Sequence, residues 1–408
     1  MSTIIPNKIT ICYISCLLEL QDSHNILFIE TLASYGYRII AIMPDMLCSE
    51  RLYKSKISHV TIPIPTYHFD SDSGIIHISR AIFQRARNFI LVARELVRIK
   101  PGVCLCQQPD SWLLAVLAKL SWDCKVVVDL LEMYEDRAQA FPRMLRIVVR
   151  YLIRNYMIIL SKYTDEIIHT NRARQKAYSY LHKEGIVISY FPKLEQFPIQ
   201  EITQKETLNS RSEEVSVIHA GALRSGYAAD ELLRAMHLVQ EEIPNIRFIV
   251  IGGVVGKIRN NDLMKNLIGR GLLVIKQPIL FEEMPQYLIK SDIGLNLVLP
   301  ISNGNILASP RKLYEYLAAG LPVVGADVPT IREVIERWNC GVVVSPESPE
   351  DIARGIAQIA RDENLRMMMS RNARRAAEEE YNWENEGKKL DILFSSLLDK
   401  AYLEEQEQ

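Results

Sequence analysis

The 408-residue sequence contains no run of about 18 apolar residues free of charge, so it offers no segment that reads as a membrane-spanning helix. It has no C-x-x-C pair among its seven cysteines. Cys104 and Cys106 are spaced to lie on one face of a strand, and the scattered set reads as buried thiols of a reducing compartment. Net charge is nearly absent, at -1, with 24% charged and 48% hydrophobic residues, the balance of a soluble globular protein and not of a nucleic-acid binder. The start has no basic leader with a small-residue cleavage pattern, since Lys8 runs straight into a strand-like stretch and then Glu19. A cytoplasmic protein is expected. No internal repeat and no low-complexity segment is found.

What is there divides in two. Residues 1–200 carry 24 Lys and Arg against 18 Asp and Glu, whereas residues 201–408 carry 24 against 31. The first half is therefore the one expected to meet an anionic surface. Short apolar runs alternate with helical patterns: "ITICYISCLL", a helix around 25–35, "YRIIAIM", a helix around 82–98, "GVCLCQ", a helix around 112–120, "CKVVVDLL", "DEIIHTN" and "GIVISYF". The period is lost near 192–212 and restarts with "VSVIHAGAL", "IRFIVIGG", "LLVIKQP", "IGLNLVL", "PVVGAD" and "CGVVVS", again separated by helices. This is the beat of α/β sheets covered on both faces. The expected organisation is a first Rossmann-like domain over 1–195, a linker over 196–212, a second Rossmann-like domain over 213–382 and a final amphipathic helix over 383–408. Ligands of such doubly wound sheets bind beyond the strand C-terminal ends.

The stretch "ASPRKLYEYLAAGLPVVGADVP" concentrates the chemistry. Pro310 suits the first turn of a helix, Leu313, Tyr314, Leu317 and Ala318 form its apolar stripe, and Gly320 with Pro322 ends it. Arg311 and Lys312 then sit at a helix N-terminus, where free N–H groups and the dipole favour a phosphate. Glu315, one turn on, has the acceptors to bind a ribose diol. A basic start on an ordinary surface helix gives the same spacing, and both readings stand at this level.

"SPRKLYEYLAAGLPVVGADVPTIREVI" resembles the donor-site segment of two-domain sugar-nucleotide glycosyltransferases, the GT-B fold, and within them the large family-four group and its relatives. "VCLCQQPDSWLLAVLAKLSWDCKVVVDLLEMYED", "EIIHTNRARQKAYSYL", "VIHAGALRSGYAADELLRAM" and "YNWENEGKKLDILFSSLL" resemble other family segments in the family's order. The resemblance implies two facing domains with the last helix crossing back to the first. It implies that Lys312 and Arg311 hold a diphosphate, that Glu315 holds the ribose, and that Gly221 opens a phosphate loop in which Arg224 is the nearest cation. Gly252 and Gly253 fit a tight turn beside it. Asn303, Asn305 and Ser309 are candidates for the donor sugar. The implied activity is metal-independent sugar transfer from a nucleoside diphosphate, UDP first, to a hydroxyl of a glycan or lipid-linked acceptor in bacterial surface polysaccharide or glycoconjugate synthesis. No cofactor is expected beyond the donor itself.

The sequence departs from the family at three places, one of them the loop after Leu223, where Tyr227 and Ala228 replace a frequent basic residue and Gly and leave phosphate neutralisation to Arg224, Arg311 and Lys312. The first of two family glutamates falls on Leu307, and a frequent histidine of the first domain falls on Gln108, beside Gln107. These gaps keep one alternative open, an inactive scaffold subunit; the other alternative is a nucleotide-sugar epimerase of the same fold, which needs no acceptor and against which the arginine-rich helices and the "KLYEYLA" match weigh. If transfer inverts the anomeric centre, Glu132 is the candidate base, with Asp129, Glu135 and Asp136 nearby. If it retains, the leaving diphosphate assists and no base is needed. Asp22 and His24 occupy the loop expected to reach the acceptor, though Asp22 also reads as a helix N-cap. The triplet Asp70–Asp72 is assigned no metal.

Spacing alone supplies one more feature. Arg143, Arg146, Arg150 and Arg154 stack on one helix face among Leu, Ile, Val and Met, and Arg80, Arg85, Arg87, Arg94 and Arg98 stud an earlier helix. The pattern fits either a solvated stripe on a core-packed helix or a peripheral contact with an anionic membrane at the inner face of the cytoplasmic membrane.

Overall fold

The computed structural model describes residues 10–14, 23–44, 58–62, 75–198 and 214–406. The chain forms two compact units, Met1–Ser189 with Gly387–Gln408, and Tyr190–Glu386.

In the first unit the order is β1 (Thr10–Ile14), α1 (Ser23–Ser34), β2 (Arg38–Pro44), β3 (Ser58–Ile62), α2 (Ile75–Ile99), β4 (Val103–Cys106), α3 (Pro109–Trp122), β5 (Lys125–Leu130), α4 (Arg146–Ser161), β6 (Glu166–His169), α5 (Arg172–Ala177) and β7 (Ile186–Val187). The sheet is parallel in the order β3-β2-β1-β4-β5-β6-β7. β3 escaped the sequence reading because "SHVTI" carries no continuous apolar run. Only Ile186 and Val187 of "GIVISYF" pair as strand.

In the second unit the order is β8 (Val215–Ala220), α6 (Ala229–Glu242), β9 (Ile246–Ile251), α7 (Asp262–Gly269), β10 (Leu273–Lys276), α8 (Met284–Ile289), β11 (Ile293–Asn296), α9 (Asn303–Ile306), α10 (Arg311–Ala318), β12 (Val323–Ala326), α11 (Pro329–Trp338), β13 (Gly341–Val344), α12 (Pro349–Arg361), α13 (Glu363–Glu379) and α14 (Trp383–Gln406). This sheet is also parallel, in the order β10-β9-β8-β11-β12-β13. Two apolar layers cover its faces, one built on α6 and α12 and the other on α10, α11 and α13. Polar caps fix the helix starts: Asn261, Ser348 and Asp362 each accept an N–H from three residues on.

The crossing into the second unit falls at Ser189/Tyr190, ahead of the expected 195/196, because Phe191 and Phe197 are buried in the second core. Arg374 also donates to the Phe197 carbonyl at 2.9 Å. Most of the expected linker lies outside the described residues. The return falls at Glu386/Gly387, within α14 and not at its start. Its first turn stays with the second unit, where the Trp383 N–H donates to Pro192 O and the Leu194 N–H donates to Glu384 Oε1, both at 3.0 Å. Farther on, Tyr37 Oη donates to Asp391 Oδ1 at 3.1 Å within the first unit.

Strand order reverses between β8 and β11, and there the two strands pair over only two positions, Ile293 with Val217 and Gly294 with Ile218. Beyond them Tyr316 of α10 substitutes for the ladder: its hydroxyl accepts the Ala220 N–H at 2.9 Å and donates to the Leu295 carbonyl at 3.1 Å. Gly294 makes room for that ring, since a Cβ there would lie 2.6 Å from it. Gly294→Ala is therefore expected to lower unfolding stability by about 1–3 kcal/mol through overpacking. Tyr316→Phe should cost a similar ~1–3 kcal/mol by orphaning a buried N–H. Urea unfolding of the two variants checks both.

Candidate functional site

The parting of β8 and β11 opens a crevice at the switch point of the second sheet, the place where doubly wound folds bind ligands. Two strand-exit loops line one side of it. β8 runs into Gly221 (φ 132°), whose N–H donates to Ile251 O, and β9 runs into Gly252 (φ 134°). A Cβ on Gly252 would lie 2.6 Å from Ala222 N and from Gly221 C, so the loops touch backbone to backbone. Leu223 and Val254 then pair as an isolated bridge, which aims the following Arg224.

α10 supplies the other side. Pro310 stands just outside the helix as its N-cap, not within the first turn as the sequence suggested, and Arg311 and Lys312 are the first helical residues. His219, Gly221, Arg224, Tyr227, Arg311 and Lys312 line a cavity of about 250 Å³. Arg224 Cζ lies 4.2 Å and Lys312 Nζ 4.7 Å from the Tyr227 ring centroid. Among the described residues no carboxylate pairs with either cation. Lys312 keeps a partial opening through the cavity but is otherwise enclosed. Burial, with the Arg224 charge adding to it, pushes its ammonium down from 10.5 to about 7. His219 is buried and held well below its ordinary value by burial first and Lys312 second, which leaves it neutral. Its ring nitrogens lie near the Ala222 and Leu295 backbone without closing a regular hydrogen bond. The cluster can therefore accept an anion: two unneutralised cations converge with the free N–H groups of a helix start.

Glu315 is not part of the cavity lining. It is buried one turn on, where Arg311 Nε holds its Oε1 at 2.9 Å, and Arg311 itself lies 3.8 Å over the Phe281 ring. Burial raises the Glu315 carboxyl and the Arg311 charge opposes it. The residues proposed for ribose and phosphate thus hold each other here, as their i,i+4 spacing allows. Of the sugar candidates, Asn305 Nδ2 donates to Leu299 O at 2.8 Å and Ser309 shares a 2.5 Å bond with the Tyr314 hydroxyl, so both shape their own loop. Asn303 is exposed at the start of α9. Sequence reasoning missed His219, Phe281 and Asn296, and met Tyr227 only as a departure from the family loop. Asn296, the last residue of β11, is fully buried and neither amide atom has a partner among the described residues. A polar residue closing an apolar strand was the available signal for it and for His219.

In the first unit a buried chain links three strand ends. Tyr13 Oη donates to Gln107 Oε1 at 2.6 Å, and Gln107 Nε2 donates to Asp129 Oδ2 at 3.0 Å. Gln108 is buried, its N–H donating to Ser111 Oγ and its amide oxygen unpartnered among the described residues. Glu132 presents a half-exposed carboxylate 3.7 Å from Arg137. Its loop is pinned by Tyr178, which donates to the Glu132 carbonyl at 2.7 Å, and by Arg174, which donates to the Leu131 carbonyl. Asp22 and Asp70–Asp72 lie outside the described residues, as does the side chain of His24. All four arginines of the stripe are exposed; Arg146 donates to the Phe141 carbonyl at 3.0 Å and Arg154 lies 4.1 Å over the Tyr180 ring. Among the described residues no group of three or more His, Cys, Asp or Glu is placed to hold a metal, and no helix is long and apolar enough to cross a membrane.

Residues 200–376 match the family described as glycosyl transferases group 1. That segment is thus similar to group 1 glycosyltransferases, and the two-unit fold is of the GT-B kind. An uncharacterized glycosyltransferase of Methanocaldococcus jannaschii is 25% identical over 190 residues, 46% of either chain. The N-acetyl-alpha-D-glucosaminyl L-malate synthase of Bacillus anthracis is 24% identical over 239 residues, covering 58% of this chain and 57% of that one. The chain spans about half the length of the curated relatives it matches. Among solved structures, Anabaena HepE in complex with UDP superposes with a TM-score of 0.70 at 14% identity, over 95% of this chain and 100% of that one.

The Lys312 ammonium gives the site a pH signature. The unfolded chain binds one more proton than the empty folded protein between about pH 7 and 10.5, so Lys312 contributes stability that grows with rising pH in that window. An anion beside it reverses the bias and draws a proton in. UDP affinity is expected to fall by up to about tenfold per pH unit above pH 7. Calorimetry at pH 8 in two buffers of different ionisation heat should register proton uptake, and Lys312→Met should abolish it.

Proposed function

We propose that this protein transfers a sugar from a nucleoside-diphosphate donor, UDP-sugar first, to a hydroxyl of a glycan or lipid-linked acceptor in bacterial surface polysaccharide or glycoconjugate synthesis. The observation that carries this is the pairing of Arg224 and Lys312 around Tyr227 at the start of α10, with no carboxylate among the described residues paired to either. Such a cluster stabilises a diphosphate most when it departs, because charge then builds on the oxygens these cations and N–H groups face. The group 1 match supports sugar transfer, and the likeness to a fold solved with UDP supports the choice of nucleotide. The fixed cations supply the charge stabilisation, so the proposed transfer is metal-independent and uses no cofactor besides the donor. On the acceptor side, Gln108 is a candidate to orient a hydroxyl, and Glu132 is the candidate base of an inverting reaction. The proposed place of action is the inner face of the cytoplasmic membrane.

The first test is calorimetric titration with UDP, GDP, ADP and TDP without added metal. UDP should bind at roughly micromolar strength, about -8 kcal/mol, ahead of the others. Lys312→Ala and Arg224→Ala should each weaken it about 10- to 100-fold, the worth of a charge-assisted hydrogen bond. Unchanged affinity in both variants removes the donor site as drawn. In turnover assays Glu132→Gln should slow an inverting enzyme about 100- to 10,000-fold at constant donor affinity.

A further inference from the structure

α2, α3 and α4 cross between β3 and β4, β4 and β5, and β5 and β6, all in one direction of the strand order. Right-handed crossovers therefore set them side by side on one face of the first sheet, α2 against α3 and α3 against α4. The outward side of this layer does not look like an ordinary solvated surface. On α2 the exposed stripe reads Phe83, Arg87, Ile90, Arg94, Val97, alternating apolar and basic at helical spacing, with Phe83 75% exposed. At the start of α4, Met144 is 91%, Ile147 79% and Tyr151 66% exposed, on a stripe flanked by Arg143 and Arg150. No Asp or Glu occurs anywhere from 137 to 164.

We infer that this three-helix face is a docking surface for an anionic lipid bilayer, in which Met144, Ile147, Tyr151 and Phe83 enter the headgroup boundary while Arg87, Arg94, Arg143 and Arg150 meet lipid phosphates. Contiguous exposed apolar side chains on a water-facing helix carry a cost that only a partner removes. Charge selects the partner. A second copy related by a two-fold axis would bring this arginine-rich face against itself, like charge on like charge. An anionic membrane is complementary to it, and it offers apolar depth for the side chains between the arginines. The role assigned to the surface rests on the proposed lipid-linked acceptor, but the geometry stands apart from the donor site, since both stripes lie in the first unit.

The test is vesicle flotation of the full chain with phosphatidylcholine alone and with about one third phosphatidylglycerol, with UDP titration and circular dichroism on the same preparations. The expected result is flotation with the anionic vesicles only. Arg143→Ala with Arg150→Ala should weaken partitioning roughly thirtyfold, and Ile147→Asp should abolish it, both with UDP affinity and the thermal melt unchanged. Absence of binding to either vesicle by the wild type overturns the inference. So does a concentration-dependent dimer in light scattering that Ile147→Asp dissolves without any vesicle binding, which would give the face to a second copy. Vesicle binding without UDP binding would leave the docking surface standing and remove the donor site, and the opposite pattern would do the reverse.

Discussion

Two cationic side chains set against one ring, with no carboxylate paired to either among the described residues, are the constraint around which the cavity of the second unit is organised. Arg224 and Lys312 repel, and although Arg224 is exposed, Lys312 sits where water alone cannot solvate it fully. Three arrangements offset that cost. The Tyr227 ring lies against both cations and attracts each. Lys312 relieves part of the repulsion by giving up its proton readily, and His219 stays neutral. The third is mechanical: Gly252 and Gly221 bring two strand exits into backbone contact, and Tyr316 ties α10 to both β8 and β11. The segments that carry the two cations cannot separate without breaking contacts at the centre of the sheet. A site preloaded in this way binds an anion by recovering electrostatic energy already stored in the fold.

That origin explains which parts of the structure were legible in the sequence. Period and capping are local, so both parallel sheets, the span of α10 and the glycine-bounded loops could be read directly. Lys312 and Gly221 could be placed because a helix start and a strand exit are themselves sequence signals. The role of Glu315 was obscured because an i,i+4 partner, Arg311, competes for it, and nothing in the spacing says which contact wins. The cation contacts of Tyr227 and Phe281 were invisible for another reason. An aromatic residue in a loop becomes a cation's partner only through a contact between segments far apart in sequence, 281 against 311 and 227 against 312. The unit boundary was misplaced by the same kind of gap: prolines and charges around 192–198 read as linker, yet Phe191 and Phe197 are core residues of the second unit.

The choice of cation differs between the two charged regions, and the difference follows from their tasks. The outward stripes of α2 and α4 use arginine alone, and neither helix contains a lysine. Guanidinium stays charged in any surroundings, is weakly hydrated and can fork onto phosphate oxygens beside apolar neighbours, which suits a surface whose charge must not depend on what it touches. The deepest cation of the cavity beside α10 is a lysine. Its compact ammonium responds to burial, which lowers it to about 7, so an anion beside it can raise its charge. An arginine at 312 would hold its proton throughout and add permanent repulsion against Arg224 in the empty state. A titratable cation between fixed ones is the arrangement that lets the cavity remain folded when empty and still present full positive charge to its ligand.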